Sequence, residues 1–228
     1  MVEEVKEKSK KLLRRHEVPP YLKLSERYTF DIDKILAVFQ NQFDGLKTGT
    51  GRDFIINQFD NGYSTYSDGN YNLYSVTEFD PDFEPENHGV MGNIGESKKD
   101  PRWDERKYAK IVDWAKGTYI EEVLKTFKGQ VSRCNIRVMD AGGAITEHMD
   151  YDTTYSMRYH IPLVTNDKAY FTTRRRKTDD PEIFRMEADG GTYFLNQGIL
   201  HAAFNDGDTP RIHLVICVNG QEDLEDHI

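Results

Sequence analysis

Apolar positions change texture along the chain. Over residues 31–42, Ile32, Ile35, Leu36 and Phe39 recur at three- and four-residue spacing, which predicts an amphipathic helix. The same spacing returns over residues 104–127. There Tyr108, Ile111, Val112, Ala115, Ile120, Val123, Leu124 and Phe127 share one face, and Gly117 divides the run in two. Residues 2–15 read as a short lysine-rich helix stopped by Pro19-Pro20. After Gly129 the runs shorten, and strands are expected at 131–139, 155–164, 169–175, 182–187, 192–195 and 211–218. Ala141-Gly142-Gly143, Thr165-Asn166-Asp167, Asp189-Gly190-Gly191 and Asn205-Asp206-Gly207-Asp208 supply the turns. One domain is expected, helical and loop-rich over 1–128 and β-rich over 129–220. That order implies an antiparallel sandwich or barrel backed by helices.

The segment 49–100 fits neither texture. Phe54, Phe59, Tyr63, Tyr66, Tyr71, Tyr74, Phe79 and Phe83 are scattered among Gly, Asn, Asp and Ser, as in irregular loops pinned to a core by aromatic rings. Tyr63, Tyr66 and Tyr71 are also candidates for a lid over a substrate, and Tyr66 is a candidate substrate residue. At 228 residues the chain suffices for one well-packed domain, and its 12% aromatic content offsets a hydrophobic fraction of only 37%.

A net charge of −9 disfavours nucleic acid and anionic membrane as partners, and no apolar run approaches a membrane span. The charged N-terminus lacks the apolar core of a secretory signal, so a cytoplasmic location is expected. Cys134 and Cys217 fall inside expected strands without metal-type spacing and are read as two buried thiols. The acidic end (Glu222, Asp223, Glu225, Asp226) reads as a frayed tail, and His16, His88 and His227 as solvated.

The chemistry concentrates in the β-rich half. His148-Met149-Asp150 follows the Ala141-Gly142-Gly143 turn, and in extended chain residues two apart project to one face. One imidazole and one carboxylate thus aim at a common centre. His201, beyond the strand at 192–195, is the best third ligand. Two histidines and a carboxylate on one face of an octahedral metal leave three positions free, the arrangement of non-haem Fe(II) oxygenases. A chelating dianion fills two of them and O2 the third. Arg211, ten residues after His201, offers bidentate recognition of the dianion's far carboxylate.

Taken singly these signals are weak. His-x-Asp occurs by chance in turns, a lone buried histidine is more often a satisfied core residue, and Arg211 alone is more often a surface ion pair. Their order and their places at strand ends make the metal reading. Two Arg-x-His pairs, Arg158/His160 and Arg211/His213, each share a face. Facing inward they make an anion pocket beside the metal, and facing outward they are surface charge. Arg137, on the face of Asn135 and Met139, is the candidate for a substrate carboxylate, with His213 beside it. Arg174-Arg175-Arg176-Lys177 reads as a solvated hairpin tip answered by Asp179, Asp180 and Glu182.

The chain resembles the aspartyl/asparaginyl β-hydroxylase family, which includes small bacterial amino-acid hydroxylases acting on free proline. The match runs through Tyr119-Ile120-Glu121-Glu122-Val123-Leu124, Arg137-Val138-Met139-Asp140-Ala141-Gly142-Gly143 and His148-Met149-Asp150. It continues through Arg158-Tyr159-His160-Ile161-Pro162-Leu163-Val164-Thr165-Asn166, then His201 and Pro210-Arg211-Ile212-His213-Leu214. The resemblance implies a fold that is mainly β with flanking helices, a double-stranded β-helix (jelly roll, cupin-like). It implies Fe(II) on His148, Asp150 and His201, and 2-oxoglutarate held by Arg211, Arg158 and His160. Asp150, absent from the vertebrate branch and from related halogenases, implies hydroxylation rather than halogenation. The expected activity is an Fe(II)/2-oxoglutarate-dependent dioxygenase consuming O2 and hydroxylating a free amino acid or small derivative, with proline first. A peptide or protein hydroxylase and a non-catalytic jelly-roll binder are the competing readings.

Overall fold

Strict alternation of inward and outward side chains builds two antiparallel sheets. The computed structural model describes residues 11–43, 71–85, 102, 104–225, 227 and 228. Among these residues, one six-stranded sheet runs in the order β1 (Tyr21–Lys23), β10 (Tyr193–Leu195), β7 (Met157–Val164), β12 (Arg211–Asn219), β5 (Gln130–Met139) and β2 (Tyr71–Ser75). The second, four-stranded, is ordered β6 (Ala144–His148), β11 (Leu200–Asn205), β8 (Ala169–Arg174) and β9 (Glu182–Phe184). From β5 to β12 the chain changes sheet at every step except the β8–β9 hairpin, which is the winding of a double-stranded β-helix. Gly142, at φ 74°, turns the chain from the first sheet into the second, a conformation that a Cβ would oppose.

The large sheet has two different faces. Ile212, Leu214, Ile216 and Val218 of β12, with Tyr159 and Ile161 of β7 and Ile136 and Val138 of β5, are buried on the side covered by helices. Those helices are α1 (Ile32–Phe43) and α2 (Tyr119–Leu124), with α3 (Glu222–Glu225) at the end of the chain. Asp31 caps α1 by accepting a hydrogen bond from Lys34 N at 3.2 Å, and Phe39 of that helix packs edge-on against Tyr74 of β2 at 4.8 Å. The other face looks at the second sheet across a smaller cluster of Tyr71, Met139, Phe171, Phe184, Tyr193 and Leu195. Cys134 and Cys217 are free, buried thiols. Among the described residues no helix is long and apolar enough to cross a membrane.

Several expectations need correction. The helix expected over 104–127 forms only as α2. Ahead of it, Asp104 caps a tight 3-10 turn at Glu105–Lys107, and β4 (Lys110–Ile111) pairs with β3 (Thr77–Glu78). The apolar face is genuinely buried, so the helical period there reflects burial in mixed local structure. The first ten residues lie outside the described set, and residues 11–14 are not helical. Leu13 spends both backbone groups on the Gln221 side chain, N–H to Oε1 and carbonyl from Nε2, each at 2.7 Å. The portion before residue 129 also holds strands β1–β4, two of which extend the large sheet. The acidic end is not frayed at Asp223, which is buried and accepts from Tyr28 Oη, Lys128 N and Gly129 N. His227 is half-buried and accepts from Ser25 N at 2.8 Å.

Candidate metal centre and anion pocket

Two short strands, β6 and β11, bring the candidate ligands together, and neither was expected from the sequence. They pair antiparallel with His148 directly opposite His201, the rings 4.2 Å apart between centroids. Asp150 lies two residues beyond β6, its backbone N–H donating to Gln197 O at 2.9 Å. His148, Asp150 and His201 thus offer three ligand atoms that all lie within 4.8 Å of one another.

Each histidine is held by a carbonyl two residues before it. His148 Nδ1 is 2.8 Å from Thr146 O, and His201 Nδ1 is 3.0 Å from Ile199 O. A carbonyl only accepts, so both Nδ1 atoms carry the proton and both Nε2 lone pairs are left for the common centre. Burial pulls His201 down to about 4 against the opposing pull of Asp150, so it is neutral and ready to ligate at neutral pH. Burial works to raise Asp150, but Arg158, with His201 and His148, holds its carboxyl well below the usual range. Arg158 Nη1 donates to Asp150 Oδ2 at 2.6 Å. Two imidazoles and an ionised carboxylate fit a divalent first-row metal such as Fe(II).

The face choice left open for the Arg-x-His pairs is settled inward. Register puts Arg211 beside Met139, which Tyr71 flanks on its other side, and His213 beside Arg137. Val215 lies beside His160, and Cys217 beside Arg158. The face of the large sheet that looks at the second sheet therefore carries a diagonal of basic groups from Arg158 to Arg211. All four members of the Arg-x-His pairs are buried, and Arg137 is half-buried, its Nε donating to Asn135 Oδ1 at 2.7 Å. Arg211 lies over the Phe171 ring at 4.7 Å.

Among the described residues, several buried polar atoms on this face and on β8 opposite it lack a hydrogen-bond partner. They include Arg211 Nε and Nη1, His160 Nε2, His213 Nε2, Tyr71 Oη and Thr173 Oγ1. Unpaired buried donors are costly, and a group of them around one space fits an anionic, oxygen-rich ligand such as 2-oxoglutarate. Burial without a counter-charge pulls Arg211 down to about 10, which leaves it charged at neutral pH. His160 and His213 meet through their Nδ1 atoms at 3.3 Å. Whichever ring donates there, the other carries its proton on Nε2, so one neutral histidine presents an N–H to the pocket.

Burial and the adjacent cations hold both His160 and His213 well below the ordinary histidine range. The unfolded chain takes up protons at these positions near pH 6.5 and the folded chain does not, so stability is present above that pH and is lost as pH falls below it. Metal-free protein is expected to lose about 2 kcal/mol between pH 6.5 and 5.5 from this pair. Urea unfolding at the two pH values checks it, and equal stability would mean that the rings protonate within the fold.

Other expected residues fall as follows. Tyr63 and Tyr66 lie outside the described residues. Tyr71 is placed on β2 in the pocket wall rather than on a free lid. Arg174 is not answered by Asp179 and Asp180 side chains; it forms a bidentate pair with Glu147 at 2.6 Å for both bonds and also donates to Lys177 O. Arg174→Ala is expected to change turnover by about fivefold at most, as for an exposed pair, and steady-state rates check this. Thr173 and Phe171 were missed. They alternate inward along β8, where Thr173 pairs with His201, and that alternation was the available signal. Glu105, fully buried and 4.0 Å from Arg158, was also missed.

Residues 115–219 match the model of a protein family described as aspartyl/asparaginyl β-hydroxylase. Similar solved structures include a 2OG-Fe(II) oxygenase family oxidoreductase from Burkholderia pseudomallei, at 14% identity over 88% of this chain and 85% of that one, with a TM-score of 0.45. Another is a Pseudomonas putida prolyl-4-hydroxylase, at 11% identity over 87% and 91% of the two chains, TM-score 0.43. The matched segment runs from just before α2 to the end of β12 and so contains all three candidate metal ligands and every member of the Arg-x-His pairs. Residues 115–219, a little under half of the chain, are thus similar to the aspartyl/asparaginyl β-hydroxylase family.

Proposed function

We propose that this chain is an Fe(II)- and 2-oxoglutarate-dependent dioxygenase that hydroxylates a free amino acid or a small amino-acid derivative, with proline the first candidate. The observation that carries the reading is the pairing of the His148/Asp150/His201 triad with a buried Arg211 whose Nε and Nη1 lack partners among the described residues. When bound, Fe(II) supplies O2 activation coupled to the oxidative decarboxylation of 2-oxoglutarate to succinate and CO2.

The chain's own residues then have distinct tasks. His148 and His201 present Nε2, and Asp150 presents a carboxylate whose direction Arg158 fixes. Arg211 takes the distal carboxylate of 2-oxoglutarate, in a pocket that Phe171 and Met139 keep apolar. His160 or His213 supplies one neutral N–H donor, with Tyr71 and Thr173 as further polar contacts.

Charge supports a carboxylate on the substrate. Fe(II) is balanced by Asp150 and the chelating carboxylate, Arg211 by the distal one, and Arg158 by Glu105 at 4.0 Å. Arg137 then remains as a half-buried guanidinium with no carboxylate partner among the described residues. A small acid placed against Arg137 removes that excess.

Succinate release across free amino acids, the matching carboxamides and short peptides tests the substrate class. Free acids should react well, their amides poorly, and Arg137→Gln should erase the difference by raising KM for the acids. Amides or internal peptide residues turning over as fast as acids would contradict it and favour a peptide side chain as substrate.

A further inference from the structure

A strap of N-terminal chain, outside the family-matched segment, laces together two loops, one carrying Asp150 and one leading into His201. One loop leaves β6 and holds Met149, Asp150, Tyr151 and Asp152. The other, Asn196 to Ile199, leads into His201. Arg15 stands between them. Its Nη1 is 3.0 Å from the Met149 sulfur and 3.2 Å from Gly198 O, and its Nε is 3.6 Å from Asp152 Oδ2. Met149 is the residue between two ligands, and Gly198 lies three before the third. The Arg15 carbonyl accepts from Asn196 Nδ2 at 2.8 Å and from Arg175 Nη1 at 3.3 Å.

The strap is anchored on both sides of Arg15. Leu13 is held by Gln221, and its carbonyl also accepts from Thr153 Oγ1 at 2.9 Å. Val18 O accepts from Arg175 Nη2, and Pro20 O accepts from Asn196 N. Gly198 gives an independent sign that the contact is built closely. A Cβ there would meet Arg15 Cβ at 2.8 Å and Tyr151 O at 3.1 Å, so only glycine lets the strap and both loops meet.

We propose that Arg15 is a positioning residue for the metal centre. Its planar guanidinium fixes the loop bearing Asp150 against the loop that leads into His201, so that the three ligand atoms stand ready before metal arrives. A guanidinium suits this because one rigid group serves a thioether, a carbonyl and a carboxylate at once, whereas an ammonium offers a single point of contact. The role rests on the metal-binding reading above and concerns affinity and ligand geometry, since Arg15 touches the loops at Met149, Gly198 and Asp152.

The test is anaerobic titration of the full-length, 2-oxoglutarate-free protein with Co(II), reading the d–d spectrum and the dissociation constant. The parent is measured first, and absence of saturable binding there would sink the metal reading itself. Arg15→Met, which keeps the stem, is expected to weaken binding about tenfold and alter the Co(II) spectrum, while metal-free thermal unfolding shifts little. Arg15→Lys should recover only part of the affinity. Gly198→Ala, with Arg15 intact, should weaken binding similarly and guards against a poorly folding Arg15 variant. Parent-like affinity and spectrum in Arg15→Met, or in Gly198→Ala should Arg15→Met not fold, would overturn the assignment while leaving the metal reading intact.

Discussion

Replacing Asp150 with alanine is expected to lower succinate release at least a hundredfold and to weaken Fe(II) binding by a similar factor. Removing groups that merely support a metal ligand already costs ten- to a hundredfold. Asp150 does more than support. It is the carboxylate of the only His/Asp/Glu/Cys grouping of metal-binding geometry among the described residues. Its loss also leaves Arg158 buried without its 2.6 Å partner, with Glu105 at 4.0 Å the remaining carboxylate. The alanine variant should therefore also unfold at lower denaturant concentration. Asp150→Asn separates the two effects, since it keeps shape and a hydrogen-bonding oxygen toward Arg158. It should fold better than the alanine variant and remain inactive. Metal affinity and succinate release measured on both variants check this, and full turnover in either would remove Asp150 from the ligand set.

Arg211→Met is expected to raise the KM for 2-oxoglutarate at least thirtyfold, because truncating one partner of a buried charge pair costs about 2 kcal/mol or more. Stability should move the other way. In the metal-free protein Arg211 is a buried cation on an aromatic ring, with two nitrogens unpartnered among the described residues. A methionine of similar reach removes that desolvation cost and packs on Phe171, so the variant should unfold at equal or higher temperature than the parent. Loss of co-substrate affinity with retained or increased stability is the signature of a ligand-binding cation. A clear fall in stability would show instead that Arg211 serves the fold. Arg211→Lys keeps a charge without the fork and should fall between the two in KM.

The candidate ligands are legible in the sequence because the chemistry limits them to few residue types. His148 and Asp150 needed only extended spacing, and Arg158/His160 and Arg211/His213 only the alternation of a strand. The elements that hold the histidines were harder. The described burial of β6 is shallow, and its Ala-Ile-Thr-Glu-His sequence reads as loop as easily as strand. His201 looked like a loop residue because β11 follows closely on the Asn196-Gln197-Gly198 turn. Only the long-range pairing of β11 with both β6 and β8 reveals it as a strand. Residues 104–127 show the converse, where burial by unrelated elements imitates a helical period. The strap at 13–20 was not legible at all. Its partners, Gln221, Asn196, Arg175 and Thr153, lie far along the chain, and nothing local announces them.

The central claim is that His148, Asp150 and His201 hold Fe(II) while Arg211 fixes 2-oxoglutarate beside it. Anaerobic addition of Fe(II) and then 2-oxoglutarate to pure protein tests both halves in one cuvette. A weak visible charge-transfer band that saturates at one equivalent of each, is absent in Asp150→Ala, and needs far more 2-oxoglutarate in Arg211→Met is the predicted result. No band in the parent protein, or an unchanged band in Asp150→Ala, would contradict it.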